Sequence, residues 1–142
     1  MSNDPVHDIQ RLESVVSYHA HIYYDVATTR RTAEWLRERM AQLFAVQLGR
    51  WHDALVGPHT QSMYQVAFDV PVFARFVPWL MLNRNGLDIL VHPNTLQPRA
   101  DHLVHALWLG RKLDLKPDSL PVRIGAGEES PIEVNTRPDL GL

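Results

Sequence analysis

Apolar residues follow two different rhythms in the first third of the chain, and each rhythm indicates one kind of element. Residues 15–24 are rich in β-branched and aromatic types, which predicts a strand. Over residues 30–44 the apolar positions recur every three or four residues, which is typical of an amphipathic helix. The short apolar run over residues 45–51 predicts a second strand.

The middle of the chain again predicts a strand followed by a helix. Residues 62–70 alternate between two faces, which is the pattern of a strand. Pro71 suits the first turn of the next helix. Pro78 lies inside that helix and predicts a kink or a split, because proline lacks the backbone N–H. Asn85-Gly86 predicts the end of the helix.

A fourth strand and a final helix complete the predicted fold. Residues 87–92 form the strand, which Pro93 ends. Asp101 can cap a helix that runs to Leu109 and closes at Gly110. The order β-α-β-β-α-β-α predicts an α+β, ferredoxin-like split β-α-β fold with one appended C-terminal helix. Its four-stranded antiparallel sheet has the strand order 4-1-3-2, and both main helices lie on one face.

Composition changes this picture only by setting its limits. The chain has 142 residues, of which 45% are hydrophobic and 21% charged, as in an ordinary globular domain. We therefore expect a single domain over residues 1–142 with a compact core over about residues 12–115. Residues 116–142 contain four prolines and predict an extended tail that wraps the domain or a partner.

Several classes of function are excluded by what the sequence lacks. The absence of cysteine removes disulfides, thiolate metal sites and cysteine nucleophiles. The net charge of −2 offers no electrostatic footprint for nucleic acid or an anionic membrane. The polar, acidic start is not a signal peptide, and no apolar run reaches the length of about 18 residues that a membrane span needs. We therefore expect a cytoplasmic protein.

The eight histidines carry the candidate chemistry, because the predicted topology gathers several of them. His19 and His21 lie two apart on the first strand, so both share one face with Tyr23. His92 on the fourth strand faces the same side, and the order 4-1-3-2 makes these two strands neighbours. His59 follows the turn at Gly57-Pro58 and would approach the same face.

Imidazoles in this arrangement suit a divalent metal such as zinc, copper, iron or nickel. Asp25 and Asp88 are the carboxylates on the predicted histidine face, so a site of two histidines and one carboxylate would draw on them. The alternative interpretation is a set of solvated or hydrogen-bonded histidines on a half-exposed sheet. That face also carries Met63, Ala67 and Leu90, and we expect a homodimer to cover it.

Blocks spread over residues 15 to 115 resemble the DOPA 4,5-dioxygenase family of aromatic ring-opening enzymes. The matching blocks are Tyr18-His19-Ala20-His21-Ile22-Tyr23-Tyr24-Asp25, Gly57-Pro58-His59, Phe76-Val77-Pro78-Trp79-Leu80-Met81-Leu82-Asn83-Arg84, Leu90-Val91-His92-Pro93-Asn94-Thr95, Asp101-His102 and Ala106-Leu107-Trp108-Leu109-Gly110. The sequence departs from the pattern at Leu96-Gln97, because the resemblance leads us to expect a Gly-Asp type turn at this point, after the threonine.

The resemblance implies an extradiol dioxygenase that uses non-haem Fe(II), or another divalent metal, and O₂ to open the ring of L-DOPA or a related catechol. Carried over residue by residue, it implies metal ligation by His21, His59 and His92. His19 is a further ligand or an acid/base group, and His102 is a proton-transfer candidate. Tyr23 could hydrogen-bond a substrate hydroxyl.

Two arginines are candidates for binding a substrate carboxylate, namely Arg30 and Arg84. Other functions remain open at this point. One is a dimeric ferredoxin-like module that binds a small ligand without catalysis, and another is a metal-dependent hydrolase or isomerase that uses the same histidines.

Overall fold

The computed structural model describes residues 8–125, which hold five strands and three α-helices. The elements in chain order are β1 (Ser17–Tyr23), α1 (Arg30–Leu43), β2 (Gln47–Leu48), β3 (Met63–Phe68), α2 (Phe73–Asn83), β4 (Ile89–Asn94), α3 (Pro98–Leu103) and β5 (Leu107–Leu109). No helix within these residues has both the length and the apolar character that crossing a bilayer requires.

The strands form one open antiparallel sheet in the order β2-β3-β1-β4-β5. The first four strands therefore have the predicted neighbours, and β5 extends the sheet beyond β4. In the register of the central strands, His19 lies between Ala67 of β3 and His92 of β4. This register brings the histidines of β1 and β4 side by side.

Helices α1 and α2 pack on one face of the sheet, where strict alternation along the strands places the main core. The helices contribute Ala33, Leu36, Met40, Phe76, Val77 and Leu80, and the central strands contribute Ala20, Ile22, Tyr64, Val66, Phe68, Ile89 and Val91. The histidines of β1 and β4 consequently point to the opposite face.

Pro78 does not split α2, which is continuous from Phe73 to Asn83. Proline removes the hydrogen bond to the carbonyl four residues earlier, that of Ala74. Both residues are exposed, so water can satisfy that carbonyl. The predicted stop is confirmed, because Asn85 and Gly86 both have positive φ, at 49° and 83°.

The prediction of a last helix from Asp101 to Leu109 is wrong. Helix α3 instead begins at Pro98, a residue that favours the first helical turn, and ends at Leu103. Asp101 does not cap it, because both carboxylate oxygens bind Thr95, at 2.8 Å to the backbone N–H and 2.7 Å to the hydroxyl. Residues 107–109 form β5, and β4 extends past the predicted end to Asn94.

The face opposite α1 and α2 is partly covered by the chain's own C-terminal segment. Tyr23, Met63 and Leu90 are buried there, and the covering side chains are Ala106, Trp108, Leu113 and Leu115. Met63, Ala67 and Leu90, whose exposure was the reason to expect a homodimer, are thus buried within the chain itself. The homodimer stays a prediction.

The segment after residue 115 also lies on its own domain as far as it is described. The Lys116 backbone N–H donates to the Pro58 carbonyl at 2.7 Å, and the Ile124 N–H donates to the Leu96 carbonyl at 2.8 Å. The rest of the predicted tail, residues 126–142, lies outside the described residues.

Candidate metal centre

Three imidazoles meet on the sheet face away from α1 and α2. One ring nitrogen from each of His19, His21 and His92 lies within 4.8 Å of the other two. His21 and His92 approach most closely, with 3.0 Å between their Nε2 atoms. The convergence follows from the spacing of two on β1 and from the antiparallel pairing of β1 with β4.

Hydrogen bonds identify which nitrogen of His92 faces this cluster. Its Nδ1 lies 2.9 Å from the Pro93 carbonyl oxygen, which can only accept, so Nδ1 carries the proton. Nε2 of His92 then presents its lone pair to His21. Metal-binding histidines commonly donate their second N–H to a backbone carbonyl in this way.

The donor set fits a metal ion. Two nitrogens bound to one metal at about 2.1 Å and at roughly a right angle lie about 3 Å apart, as His21 Nε2 and His92 Nε2 do. The other nitrogen of His21, Nδ1, is sealed from solvent and has no hydrogen-bond partner. A cation bound by the Nε2 atoms of His21 and His92 would supply the positive charge that buried nitrogen lone pairs attract.

Burial keeps these imidazoles neutral, which is the form that binds metal. It is the main cause that lowers the pKa of His19 to about 4, with His102 as a second cause. Burial likewise lowers the pKa of His21 and of His92 well below the usual value for histidine, and neighbouring histidines add to the effect. Neutral imidazoles keep their nitrogen lone pairs, so this cluster can coordinate a divalent cation.

Two more histidines stand beside the three. The His59 ring centroid is 4.3 Å from that of His21, and the His102 centroid is 3.8 Å from that of His92. His102 Nδ1 donates to the Pro98 carbonyl at 2.7 Å, because a carbonyl oxygen only accepts. Its Nε2 is therefore free to accept a proton.

A cavity of about 340 Å³ opens above the cluster. Its walls include His19, His21, His59 and His102, together with His52, Val56, Gly57, Pro58, Met63, Gln65, Asn94, Thr95, Pro98 and Asp101. Ligand pockets in proteins typically measure about 300–1,000 Å³, so this one suits a small ring compound.

Some wall residues were not singled out from the sequence. His52 lies just after the predicted second strand, where no periodicity assigns it to the histidine face, yet an isolated bridge to Met63 brings it to the cavity. Gln65 had a usable signal, since the alternation along β3 puts it on the histidine face, opposite His21 in the register. Asn94 and Thr95 gave no such signal, because β4 was expected to end at Pro93.

The two candidate arginines do not line this cavity. Arg30 pairs with Asp53 at 3.0 Å and lies 4.1 Å from the ring centre of Trp51. Arg84 donates to the Leu87 carbonyl at 3.0 Å. Both guanidinium groups therefore interact with other parts of the fold and not with the cavity.

The expected carboxylates and Tyr23 also have other partners. Asp25 accepts the backbone N–H groups of Ala27 and Thr28, and Asp88 pairs with Arg111 at 3.0 Å. Neither carboxylate belongs to the histidine cluster. Tyr23 does not line the cavity, and its hydroxyl lies 2.7 Å from His59 Nδ1.

Fold and site together define an α+β protein with a candidate metal centre of three histidines. The model of the Dopa 4,5-dioxygenase family matches residues 18–119, and the chain belongs to that family. It is 30% identical over 143 residues to the DOPA 4,5-dioxygenase of Amanita muscaria, a match that covers 94% of this chain and 61% of that protein.

Two further relatives have less informative names. The chain is 33% identical over 110 residues to an uncharacterized 21.2 kDa protein of Botryotinia fuckeliana, covering 70% of this chain and 60% of that one. It thus spans about 60% of the length of these curated relatives. A crystal structure of a proposed dioxygenase from Nostoc punctiforme PCC 73102 is similar, with 49% identity and a TM-score of 0.76, covering 78% of this chain and 95% of that one.

Proposed function

We propose that this protein is a non-haem Fe(II) extradiol dioxygenase that opens the ring of L-DOPA or a related catechol with O₂. The observation that carries the proposal is the trio His19, His21 and His92, whose ring nitrogens lie within 4.8 Å of one another below an open cavity. Membership of the Dopa 4,5-dioxygenase family supports it. We also infer that β1 to β4 with α1 and α2 form a ferredoxin-like unit to which β5 is added.

In this proposal the metal ligands are His19, His21 and His92. The resemblance implied His59 in place of His19, but His59 stands outside the close trio. Bound iron would supply the Lewis acidity and the electron transfer that catechol cleavage by O₂ requires. A site with three protein ligands leaves room for substrate oxygens.

His102 is the proposed acid/base residue. Its Nδ1–H is held by the Pro98 carbonyl, so the free Nε2 can take a proton from a catechol hydroxyl and later return it. The backbone of Thr95, tied to the buried Asp101, fixes the loop that leads into α3. Since His102 follows Asp101, this tie also holds the imidazole at the cavity wall.

The test separates metal ligands from the acid/base residue. Purified protein is loaded with Fe(II) without air, its iron is measured, and L-DOPA or a simple catechol is added before air is admitted. His21→Ala and His92→Ala should lose both iron and the yellow ring-opened product. His102→Ala should keep most of its iron and turn over about 10²–10⁴-fold more slowly, the usual range for a lost acid or base.

His105→Ala is the matched control, because His105 lies three residues after His102, just beyond the end of α3, and is exposed. It should keep both iron and turnover. If the wild type opens no catechol tested, the dioxygenase proposal is wrong, and the binding module without catalysis takes its place. If His21→Ala and His92→Ala keep full activity, the assignment of the metal site to these histidines is wrong.

A further inference from the structure

Tyr23 and His59 form a buried pair at the edge of the histidine cavity. Tyr23 is 1% exposed and His59 is 3% exposed. The Tyr23 hydroxyl oxygen lies 2.7 Å from His59 Nδ1, a short hydrogen bond in which either group could supply the proton. The direction of this bond decides which form of His59 faces the cavity.

The surroundings of Tyr23 decide the direction. A buried hydroxyl proton needs an acceptor, and in the described part of the chain His59 Nδ1 is the one hydrogen-bond partner of this hydroxyl. If Nδ1–H donated instead, the hydroxyl proton of Tyr23 would be buried without an acceptor. Tyr23 therefore donates, and Nδ1 of His59 accepts with its lone pair.

A neutral imidazole has one proton, so His59 then carries it on Nε2. Among residues 8–125 this Nε2 has no hydrogen-bond partner. It is also absent from the unpaired polar atoms that are sealed from solvent, so it keeps some solvent contact. His59 also lines the cavity. The Nε2–H group is therefore an unused donor at the cavity wall.

We infer that Tyr23 is a positioning residue that holds His59 as an Nε2–H donor to an oxygen atom of the ligand in the histidine cavity. In this tautomer the Nε2 lone pair is absent, so His59 is not a metal ligand. That the oxygen belongs to a catechol rests on the proposed function. The tautomer of His59 and its cause, the hydrogen bond from Tyr23, do not depend on that function.

The first experiment measures the tautomer without metal or catalysis. Metal-free protein labelled with ¹⁵N-histidine is observed at neutral pH by long-range ¹H–¹⁵N correlation, and the His59 signals are those absent from His59→Gln. We expect a protonated Nε2 and an unprotonated Nδ1. A wild-type protein with Nδ1 protonated would overturn the inference.

Tyr23→Phe removes the donor and should release His59 from this tautomer, shifting both nitrogen signals. Tyr64→Phe is the matched control, because Tyr64 is equally buried but donates to the Ala33 carbonyl on the other side of the sheet. It should leave the His59 signals unchanged. Unchanged signals in Tyr23→Phe would contradict the positioning role.

The second experiment tests His59 against metal ligation and for ligand binding. Co(II) binding, followed by visible absorption, should survive in His59→Leu and His59→Gln but not in His21→Ala. Binding of 4-nitrocatechol to the Co(II) protein should weaken by about 10–100-fold in His59→Leu, the effect of losing a hydrogen bond to a charged oxygen. His59→Gln retains an N–H near the same position and should recover most of the affinity.

Loss of Co(II) in both His59 variants would make His59 a ligand and overturn the inference. If the wild-type protein binds Co(II) but no nitrocatechol, the proposed substrate class fails while the tautomer result still decides the role of Tyr23.

Discussion

Each histidine of the centre is kept neutral by its own surroundings. Burial, with a smaller contribution from the nearby His102, lowers the pKa of both His19 and His59 to about 4, compared with an ordinary value of 6.5. In the unfolded chain the pKa of each imidazole returns to the ordinary value of 6.5. The difference links the protonation of the site to the stability of the fold.

The free energy of unfolding of the metal-free protein should therefore fall as the pH drops from about 6.5 to 4. In this window the unfolded chain binds protons at His19 and His59 and the folded chain does not, so acid favours unfolding. Each group accounts for about 2 kcal/mol at pH 5 relative to neutral pH. Urea unfolding at pH 7.5 and pH 5 measures the loss.

His19→Gln should lose less stability than the wild type between these two pH values, because it removes one titrating group. The exposed His105→Gln is the control and should follow the wild type. Equal unfolding free energies of the wild type at both pH values would show that the site titrates normally.

At the scale of single residues, the sequence predicts which histidines meet at the site but not the hydrogen bonds that they make there. The spacing of His19 and His21 and the phase of His92 are enough to place three imidazoles on one face, since strand alternation is strict. The positions of His52 and His59 depend on loops that no periodicity describes. The tautomers depend on the carbonyls of Pro93 and Pro98, which only the folded backbone brings into reach.

At the scale of secondary-structure elements, the end of the edge strand β5 depends on Gly110, the residue that directly follows it. Gly110 has φ of +83°, which side chains of L-residues rarely adopt. A Cβ at this position would lie 2.5 Å from Asp88 Oδ1 and 2.7 Å from Arg84 Nη1. Both atoms belong to groups engaged in hydrogen bonds, so neither moves without loss.

Gly110→Ala should therefore destabilise the protein by about 2–4 kcal/mol, from the strained backbone together with the clash. Gly86→Ala is the matched control, because Gly86 has the same φ of +83° but a Cβ added there would meet no atom within 4 Å. It should cost about 1 kcal/mol, the backbone part alone. Denaturant unfolding of both variants compares them, and equal losses would mean that the contact with Asp88 and Arg84 is soft.

The mistaken last helix shows how tertiary pairing overrides a local pattern. Residues 101–110 have an acidic start, apolar positions at helical spacing and a terminal glycine, which together indicate a helix. In the fold Leu107, Trp108 and Leu109 pair with β4 and Trp108 stacks on Tyr23 at 5.8 Å. The strand is stabilised by these non-local contacts, whose partners lie 16 to 20 residues away in β4 and 85 residues away at Tyr23. A local sequence window does not contain them.

At the scale of the whole molecule, the centre joins parts of the chain that are far apart in sequence. His19 and His21 come from β1 and His92 from β4, while His59 and His102 approach from a loop and from α3. Such a site exists only in the folded chain, because unfolding separates its ligands. A metal that binds there stabilises the native state alone.

Binding of Fe(II) in the absence of air should consequently raise the melting temperature of the whole domain. At a free metal concentration 100 times the dissociation constant the gain is about 2.7 kcal/mol, which for a domain of this size corresponds to roughly 10 °C. The measurement is the shift on adding metal, so that variants with different starting stability can be compared. His105→Ala should show the full shift, whereas His21→Ala and His92→Ala should show little. A full shift in His21→Ala and His92→Ala would place the stabilising metal elsewhere and remove the physical basis for a metal centre between β1 and β4.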